Sequence, residues 1–395
     1  MVSGTNFLTG ILFARFLGVE EFGRFTLTWM AVLFISSIQM AMITVPMMSI
    51  GPKQTKDSKL YYYGAVMIQQ ACFATLSFIT IYIGVKISKL FYPEWNIDHL
   101  ALPLATVCFF FQNQDFLRRF FFTTNRHGMA FINDSISYLG QLVLLICLFF
   151  TTTMNTTYVL LTIAGTSAIA VLFGIFSLKD LCCNYINFLQ VFKQNWKFSK
   201  WMTASAVLQW TSGNLFIVAA GSMLGATAVG AIKAAQNIMG ISHILFQGLE
   251  NIVPVKASFH YTQSGIKGLI TYLKKVTLWG GITTAIIALT AGLLPRLWLT
   301  LFYGAQYQEF GFILQWYAII YLFIFIGLPI RAGLRTLETT RPIFIAYVLM
   351  TIFSICTAKY IILYLGIKGA MIGILGTQLI LQGSLFVALN KNLKN

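Results

Sequence analysis

Long apolar runs follow one another almost without interruption along the chain, and polar positions come between them in short clusters. A helix needs about 20 mainly apolar residues to cross roughly 30 Å of hydrocarbon. On that measure the pattern predicts six spans at about residues 1–16, 25–48, 62–85, 101–122, 129–150 and 158–178. Six more follow at about 201–222, 229–254, 269–294, 312–334, 343–365 and 369–389. The runs are continuous rather than alternating. They therefore read as helices and not as the strands of a closed barrel, the other arrangement that satisfies its backbone within lipid.

The longest polar interval lies at residues 179–200. Within it Leu181, Tyr185, Phe188, Leu189, Phe192 and Trp196 recur at helical spacing beside lysines. This predicts an amphipathic helix in the membrane interface, or a plain linker between two halves.

The halves repeat one another. Leu17-Gly18 with Gly23 matches Leu224-Gly225 with Gly230 at an offset of 207, and Val45-Pro46 matches Val253-Pro254 at 208. Leu90-Phe91-Tyr92 matches Leu301-Phe302-Tyr303 at 211, and Arg119 with Thr123-Thr124 matches Arg335 with Thr339-Thr340 at 216. Four matches in one order, with offsets that drift slowly, read as an internal duplication. Six spans separate the copies, which makes the repeat parallel, about an axis along the membrane normal. The predicted fold class is all-α integral membrane, with about 12 transmembrane helices as two parallel six-helix repeats around a central cavity. Residues 1–180 form the first half, 181–200 an amphipathic cytoplasmic linker and 201–395 the second half. Against its repeat the first span is short by a turn or two. A start placed too far downstream and a naturally short helix both account for that.

Composition agrees: 57% of the residues are hydrophobic and 10% charged, against roughly 25% charged in soluble domains. The net charge of +16 raises the question of nucleic acid, and its placement answers it. With the N-terminus inside, nineteen of the 27 lysines and arginines fall in cytoplasmic loops and seven outside, leaving Lys233 within a span. Basic residues that stay cytoplasmic are a topology signal, so both termini are expected inside and no nucleic-acid partner is implied. Cys72, Cys108, Cys147 and Cys356 lie in spans as small apolar residues, and Cys182-Cys183 fall on the side where disulfides are rare.

Asn6-Phe7, the segment Ala14-Arg15-Phe16-Leu17-Gly18-Val19-Glu20-Glu21-Phe22-Gly23-Arg24-Phe25, the turn Leu224-Gly225-Ala226-Thr227-Ala228-Val229-Gly230 and Phe116-Leu117-Arg118-Arg119-Phe120-Phe121 carry a resemblance. They resemble bacterial polysaccharide and O-antigen flippases of the multidrug/oligosaccharidyl-lipid/polysaccharide exporter superfamily. Asn125-Arg126 departs from the small residue and glycine that often stand there. The resemblance implies alternating-access transport of oligosaccharides on an undecaprenyl pyrophosphate carrier, O-antigen units above all, from the cytoplasmic to the outer leaflet. It implies a cationic cavity, a bacterial inner-membrane location, no enzymatic activity and no cofactor. Expected partners are the lipid-linked oligosaccharide, membrane lipids, and a polysaccharide polymerase with its chain-length regulator.

The residues point the same way independently. In the eighth span Lys233, Gln236, Asn237, Gly240, His243, Gln247, Glu250 and Asn251 fall within an arc of roughly 140°, opposite Ile232, Ile238, Ile241, Leu245 and Leu249. A charge at mid-span costs at least about 2.5 kcal/mol against lipid, so the stripe is expected to face protein or water. Ser205, Gln209 and Ser212, and Asn6 with Thr9, add shorter stripes. The candidate substrate-binding residues are Arg15, Lys233, Asn237, Gln247, Glu250, Arg331 and Arg335. Each has a structural alternative: Lys233 can snorkel, Glu250 can pair with Lys256, Arg15 can cap carbonyls, and Arg331 and Arg335 can serve topology alone. Asp115 is spaced for pairing with Arg118 and Arg119, Asp134 can complement a helix dipole or titrate, and His243 can be a satisfied buried histidine or a proton relay. Pro46, Pro254 and Pro329 are candidate kinks.

Two other functions compete with the flippase. A cation-coupled drug exporter of the same superfamily would need a dedicated acidic cation site in one half. A membrane polysaccharide polymerase would need a large outer loop or a catalytic motif, and neither occurs in the sequence.

Overall fold

A computed structural model describes residues 2–91, 97–151, 154–178, 185–339 and 341–394. Lys179, Leu181, Cys182, Cys183, Tyr92 and Thr152, and the side chains of Tyr185 and Asn251, lie outside the described residues. Thirteen α-helices are described, with short π and 3₁₀ turns between some of them and no strand among these residues. The chain divides into two compact units: Met1–Leu17 with Arg24–Trp210, and Gly18–Gly23 with Thr211–Asn395.

The first unit holds α1 (Val2–Gln39), α2 (Val45–Ile50), α3 (Lys56–Phe91), α4 (Ala101–Thr123), α5 (His127–Asp134), α6 (Gly140–Thr151), α7 (Thr156–Phe176) and the first part of α8 (Tyr185–Leu224). Helix α4 is its centre and packs on α3 and α7. Phe116, Phe120 and Phe121 of α4 join Met47, Tyr63 and Val171 in a buried core. α7 starts where the Asn155 side chain accepts the Tyr158 N–H at 3.0 Å, satisfying one of the open donors of the first turn. Outside the spans, the Lys89 ammonium 2.8 Å away holds the Asp98 carboxyl below the usual carboxylate range.

The second unit holds the end of α8, α9 (Ala226–Met239), α10 (Ile241–Leu293), α11 (Pro295–Tyr303), α12 (Gly311–Thr336) and α13 (Arg341–Lys394). Here α12 is central, packed on α9, α10 and α13. Tyr303, Tyr307, Tyr317 and Tyr321 are buried along it and its approach.

Helices α4 and α12 end alike. After α4, Asn125 takes φ 58° and the Arg126 N–H bonds the Phe121 carbonyl at 2.8 Å. After α12, Glu338 takes φ 57° and the Thr339 N–H bonds the Leu334 carbonyl at 2.9 Å. This left-handed stop returns an amide to an otherwise open carbonyl five residues back. Asparagine tolerates that conformation, whereas glutamate is strained by about 1–2 kcal/mol. Glu338→Gly is therefore expected to raise stability by about 1 kcal/mol, read as an upward shift in the melting transition of detergent-solubilised protein.

Among the described residues eight segments are long and apolar enough to cross a membrane. They differ from the twelve expected spans for two physical reasons. Gly4–Lys53 and Arg341–Leu393 each carry two of the expected spans as one long helical segment, and Ile241–Leu293 carries the end of the eighth with the ninth, the start of the eighth lying in α9. Kinks interrupt them at Gly18 (φ 78°), at Ser264–Gly265 and at Gly366 (φ 56°). α4, crossed by polar and charged residues, is not apolar enough to qualify. From Tyr185 onward the connector is helical and continues without a break into the rest of α8, to Leu224. The face that packs is Val191, Asn195 and Ser199, while the expected apolar positions Leu189, Phe192 and Trp196 are exposed.

In the second unit two matched turns meet main chain to main chain. Gly18 and Gly225 share a positive φ (78° and 86°) with extended ψ. Five residues on, a Cβ on Gly23 would overlap the Ala226 carbonyl oxygen, and one on Gly230 would overlap the Val19 carbonyl oxygen. The contacts are reciprocal between positions 207 apart, as a two-fold relation between the two turns requires. Only glycine lets the two helices touch backbone to backbone here.

Candidate functional site

The first unit contains polar chemistry on a scale the sequence reading did not give it. Gln112, Asn113, Gln114 and Asp115 are consecutive on α4, and at about 100° per residue they point at several neighbours in turn. On one side Gln39 Nε2 donates to Gln70 Oε1 (2.9 Å) and reaches Thr44 Oγ1 (3.3 Å), and Gln70 Nε2 donates to Asn113 Oδ1 (3.4 Å). On the other, Gln114 Nε2 donates to Asn133 Oδ1 (2.9 Å), and Asn133 Nδ2 donates to the Ala170 carbonyl (2.8 Å). Gln39, Gln112, Gln114 and Asn133 are fully buried. Each cluster adjoins a π turn, Met40–Thr44 or Ser135–Leu139, and such turns recur at functional sites.

Four charges complete this region. Arg119 Nε contacts Asp115 Oδ2 at 2.9 Å and Arg118 Nη1 contacts Asp115 Oδ1 at 3.4 Å, the intrahelical pairing its spacing predicts. Arg118 Nε also lies 3.3 Å from Asp134 Oδ2. Asp134 lies two turns into the continuous helical segment His127–Thr151 rather than in its first turn, so it does not complement an N-terminal dipole. It is buried against α4, where a guanidinium compensates it. Two carboxylates meet two guanidiniums, so the cluster is balanced and offers no free charge to a cargo. The run Gln-Asn-Gln-Asp in the middle of an apolar span was the signal available for finding it.

In the second unit the predicted stripe on α9 and α10 lies on a partly open face. Lys233 and Asn237 are half-buried, whereas Gln247 and Glu250 are exposed. Lys233 Nζ donates to Gln236 Oε1 at 2.8 Å. His243 is not buried; its ring shares a 3.1 Å hydrogen bond with the Tyr321 hydroxyl. Glu250 pairs with Arg331 at 3.7 Å, not with Lys256. Of the seven candidates the fold thus joins Glu250 to Arg331. It sets Lys233 and Asn237 on one helix and leaves Gln247 a turn before Glu250. Arg335 is exposed a turn beyond Arg331 on α12, and Arg15 is exposed on α1 in the first unit.

The opposite, apolar face changes partway along. Ile232 and Ile238 are buried, but Ile241 is exposed. Gly240 breaks the helix with ψ −22°, and the His243 N–H bonds the Gly240 carbonyl in a tighter turn. The wheel slips there, and Ser242, Phe246 and Val253 take over the buried side.

Long apolar helices around polar interiors define a multi-pass α-helical membrane protein. The chain belongs to the polysaccharide biosynthesis protein family, whose sequence model matches residues 1–260. No curated protein matches it. Among solved structures it is similar to an inward-facing multidrug resistance transporter of the MATE family and the MOP superfamily. The TM-score is 0.78 at 13% identity, over 99% of this chain and 94% of that one. It is also similar to the lipid II flippase MurJ in an inward closed conformation (TM-score 0.73, 15% identity, 100% of this chain and 88% of that one). A third is a MOP superfamily transporter from Pyrococcus furiosus, described as having a binding pocket of reverse polarity (0.62, 14%, 99% and 91%). At these identities the likeness is one of fold.

Proposed function

We propose that this protein is a flippase that moves undecaprenyl-pyrophosphate-linked oligosaccharide, with O-antigen repeat units as the cargo, between leaflets of a bacterial inner membrane by alternating access. Two six-helix repeats, twelve spans and cytoplasmic termini belong to this reading. So do a central cavity and a working association with a polymerase and its chain-length regulator. Membership of a polysaccharide biosynthesis family and the MurJ-like fold support it.

One observation carries the preference for an anionic cargo. Lys233 sits about one turn inside the start of its span on a half-buried face, and among the described residues its ammonium is held by the neutral amide of Gln236 and no carboxylate. Burying a charge within a span carries a cost that reaches about 2.5–3.5 kcal/mol at the helix centre, and a diphosphate would offset it through charge-assisted hydrogen bonds. The likeness to multidrug transporters favours a drug exporter as the second reading. Against it, both carboxylates of the first unit's cluster are already matched by arginines.

Deletion of the gene is expected to deplete surface polysaccharide and to accumulate lipid-linked units. Unchanged polysaccharide with raised drug susceptibility would support the exporter instead. In complementation at matched abundance, Lys233→Ala should lower surface polysaccharide and Lys233→Arg should keep more of it, though the two cations are not equivalent. Equal transport by the Ala, Gln and wild-type proteins would remove Lys233 from the site.

A further inference from the structure

Helix α10 turns back on itself. Ser264 and Gly265 leave helical geometry, Gly265 with φ 60° and ψ −150°, a region open to glycine alone. On either side the two arms face each other antiparallel. The His260 and Tyr272 rings stack with centroids 4.8 Å apart, and Gly280 lies against Leu249. A side chain on Gly268 would strike the His260 carbonyl, so that glycine lets the arms close near the turn.

Between the arms lies a cleft of about 870 Å³, and its lining changes character along its length. Away from the turn it is apolar: Leu249, Ile252, Val253, Val276 and Trp279. Toward the turn Lys256, Lys267 and Lys275 line it from both arms, together with His260, Ser264 and Tyr272. No carboxylate lines the cleft, and the sequence holds no acidic residue between Glu250 and Glu309. The three lysines are exposed, so their charge is available to a ligand.

We propose that the α10 hairpin binds an anionic phospholipid, its phosphate among Lys256, Lys267 and Lys275 and its acyl chains along Leu249, Ile252, Val253 and Trp279. A free phosphate or a nucleotide would use the basic end and leave the apolar half unfilled. A zwitterionic lipid would fill both halves but bring no net charge to match three cations. Basic pockets between membrane helices hold anionic headgroups in this way, and Tyr272, beside the lysines, suits the same interface. The site lies within one unit and does not depend on which cargo the protein moves.

The test uses delipidated full-length protein titrated with phosphatidylglycerol and read by native mass spectrometry. Wild type is expected to retain one phosphatidylglycerol in preference to phosphatidylcholine. The combined substitution Lys256→Gln, Lys267→Gln, Lys275→Gln should weaken retention about 100-fold, at about fivefold per lysine, and the corresponding triple arginine variant should keep it. Lys193→Gln, Lys197→Gln, Lys200→Gln removes equal charge elsewhere and should leave it intact. Unchanged retention in the first triple variant, or equal loss in the last, overturns the proposal. Displacement of phosphatidylglycerol by equimolar undecaprenyl pyrophosphate would assign the cleft to the cargo lipid, and displacement by millimolar inorganic phosphate to a soluble anion; either also overturns it. If the glutamine variant does not fold, wild type decides. Brominated phosphatidylglycerol should quench the Trp279 contribution to fluorescence, defined by Trp279→Phe, more than brominated phosphatidylcholine does, and equal quenching sinks the idea.

Discussion

Gly23→Val and Gly230→Val are each expected to abolish accumulation of folded protein in the membrane. Adding even one carbon at either position would overlap a backbone carbonyl oxygen of the facing turn, Ala226 for Gly23 and Val19 for Gly230. Overpacking a core ordinarily costs about 1–3 kcal/mol because side chains can give way. Here the obstacle is main chain on both helices, so the cost exceeds that range and consumes much of the roughly 5–15 kcal/mol that holds a protein folded. Membrane abundance of tagged protein and melting in detergent measure the effect. Gly213→Ala is the control: on α8 a methyl there meets nothing within 4 Å, so it should be neutral or stabilise by about 0.4–1 kcal/mol. Wild-type abundance and melting of Gly23→Val would mean that the two turns do not touch.

Arg118→Ala is expected to destabilise the protein by about 3–5 kcal/mol, because it strands the buried carboxylate of Asp134 without its cation. Asp115 keeps Arg119 as a partner, which confines the damage to one pair. The double substitution Arg118→Leu, Asp134→Leu should recover most of the loss, since removing both charges also removes the desolvation cost. A double-mutant cycle on the melting transition would show a coupling of about 0.5–3 kcal/mol. An Arg118→Ala protein within about 0.5 kcal/mol of wild type would mean that the pair contributes nothing.

What could be read from the sequence was local. Asp115 was legible because three and four residues are one helical turn, and the Gly18 and Gly225 turns because both backbones need glycine at the same place. The partners of Asp134 and Glu250 were not legible. Arg118 and Arg331 come from other helices, and nothing local selects them over nearer cations. Gly240 misled the helical wheel, since a break of one residue re-aims every later side chain, which is why Ile241 parts company with Ile238. The apolar stripe at Phe192 and Trp196 was real as a pattern. In a membrane protein an apolar face does not say which side is packed, and here Asn195 marks it, bonding Gln69 and Tyr62 at 3.0 Å each.

The six residues Gly18–Gly23 sit in the second unit although the chain on both sides of them belongs to the first. Their packing surface at Ala226–Gly230 is made 207 residues later. At about 5–20 residues per second of synthesis, the segment waits about 10–40 s for its partner. Through that interval the notch at Gly23 has no main chain to receive, and the second unit cannot reach its final packing by local contacts alone. A pairing so distant in sequence slows folding, so a helix made long before its partner is also among the last to settle.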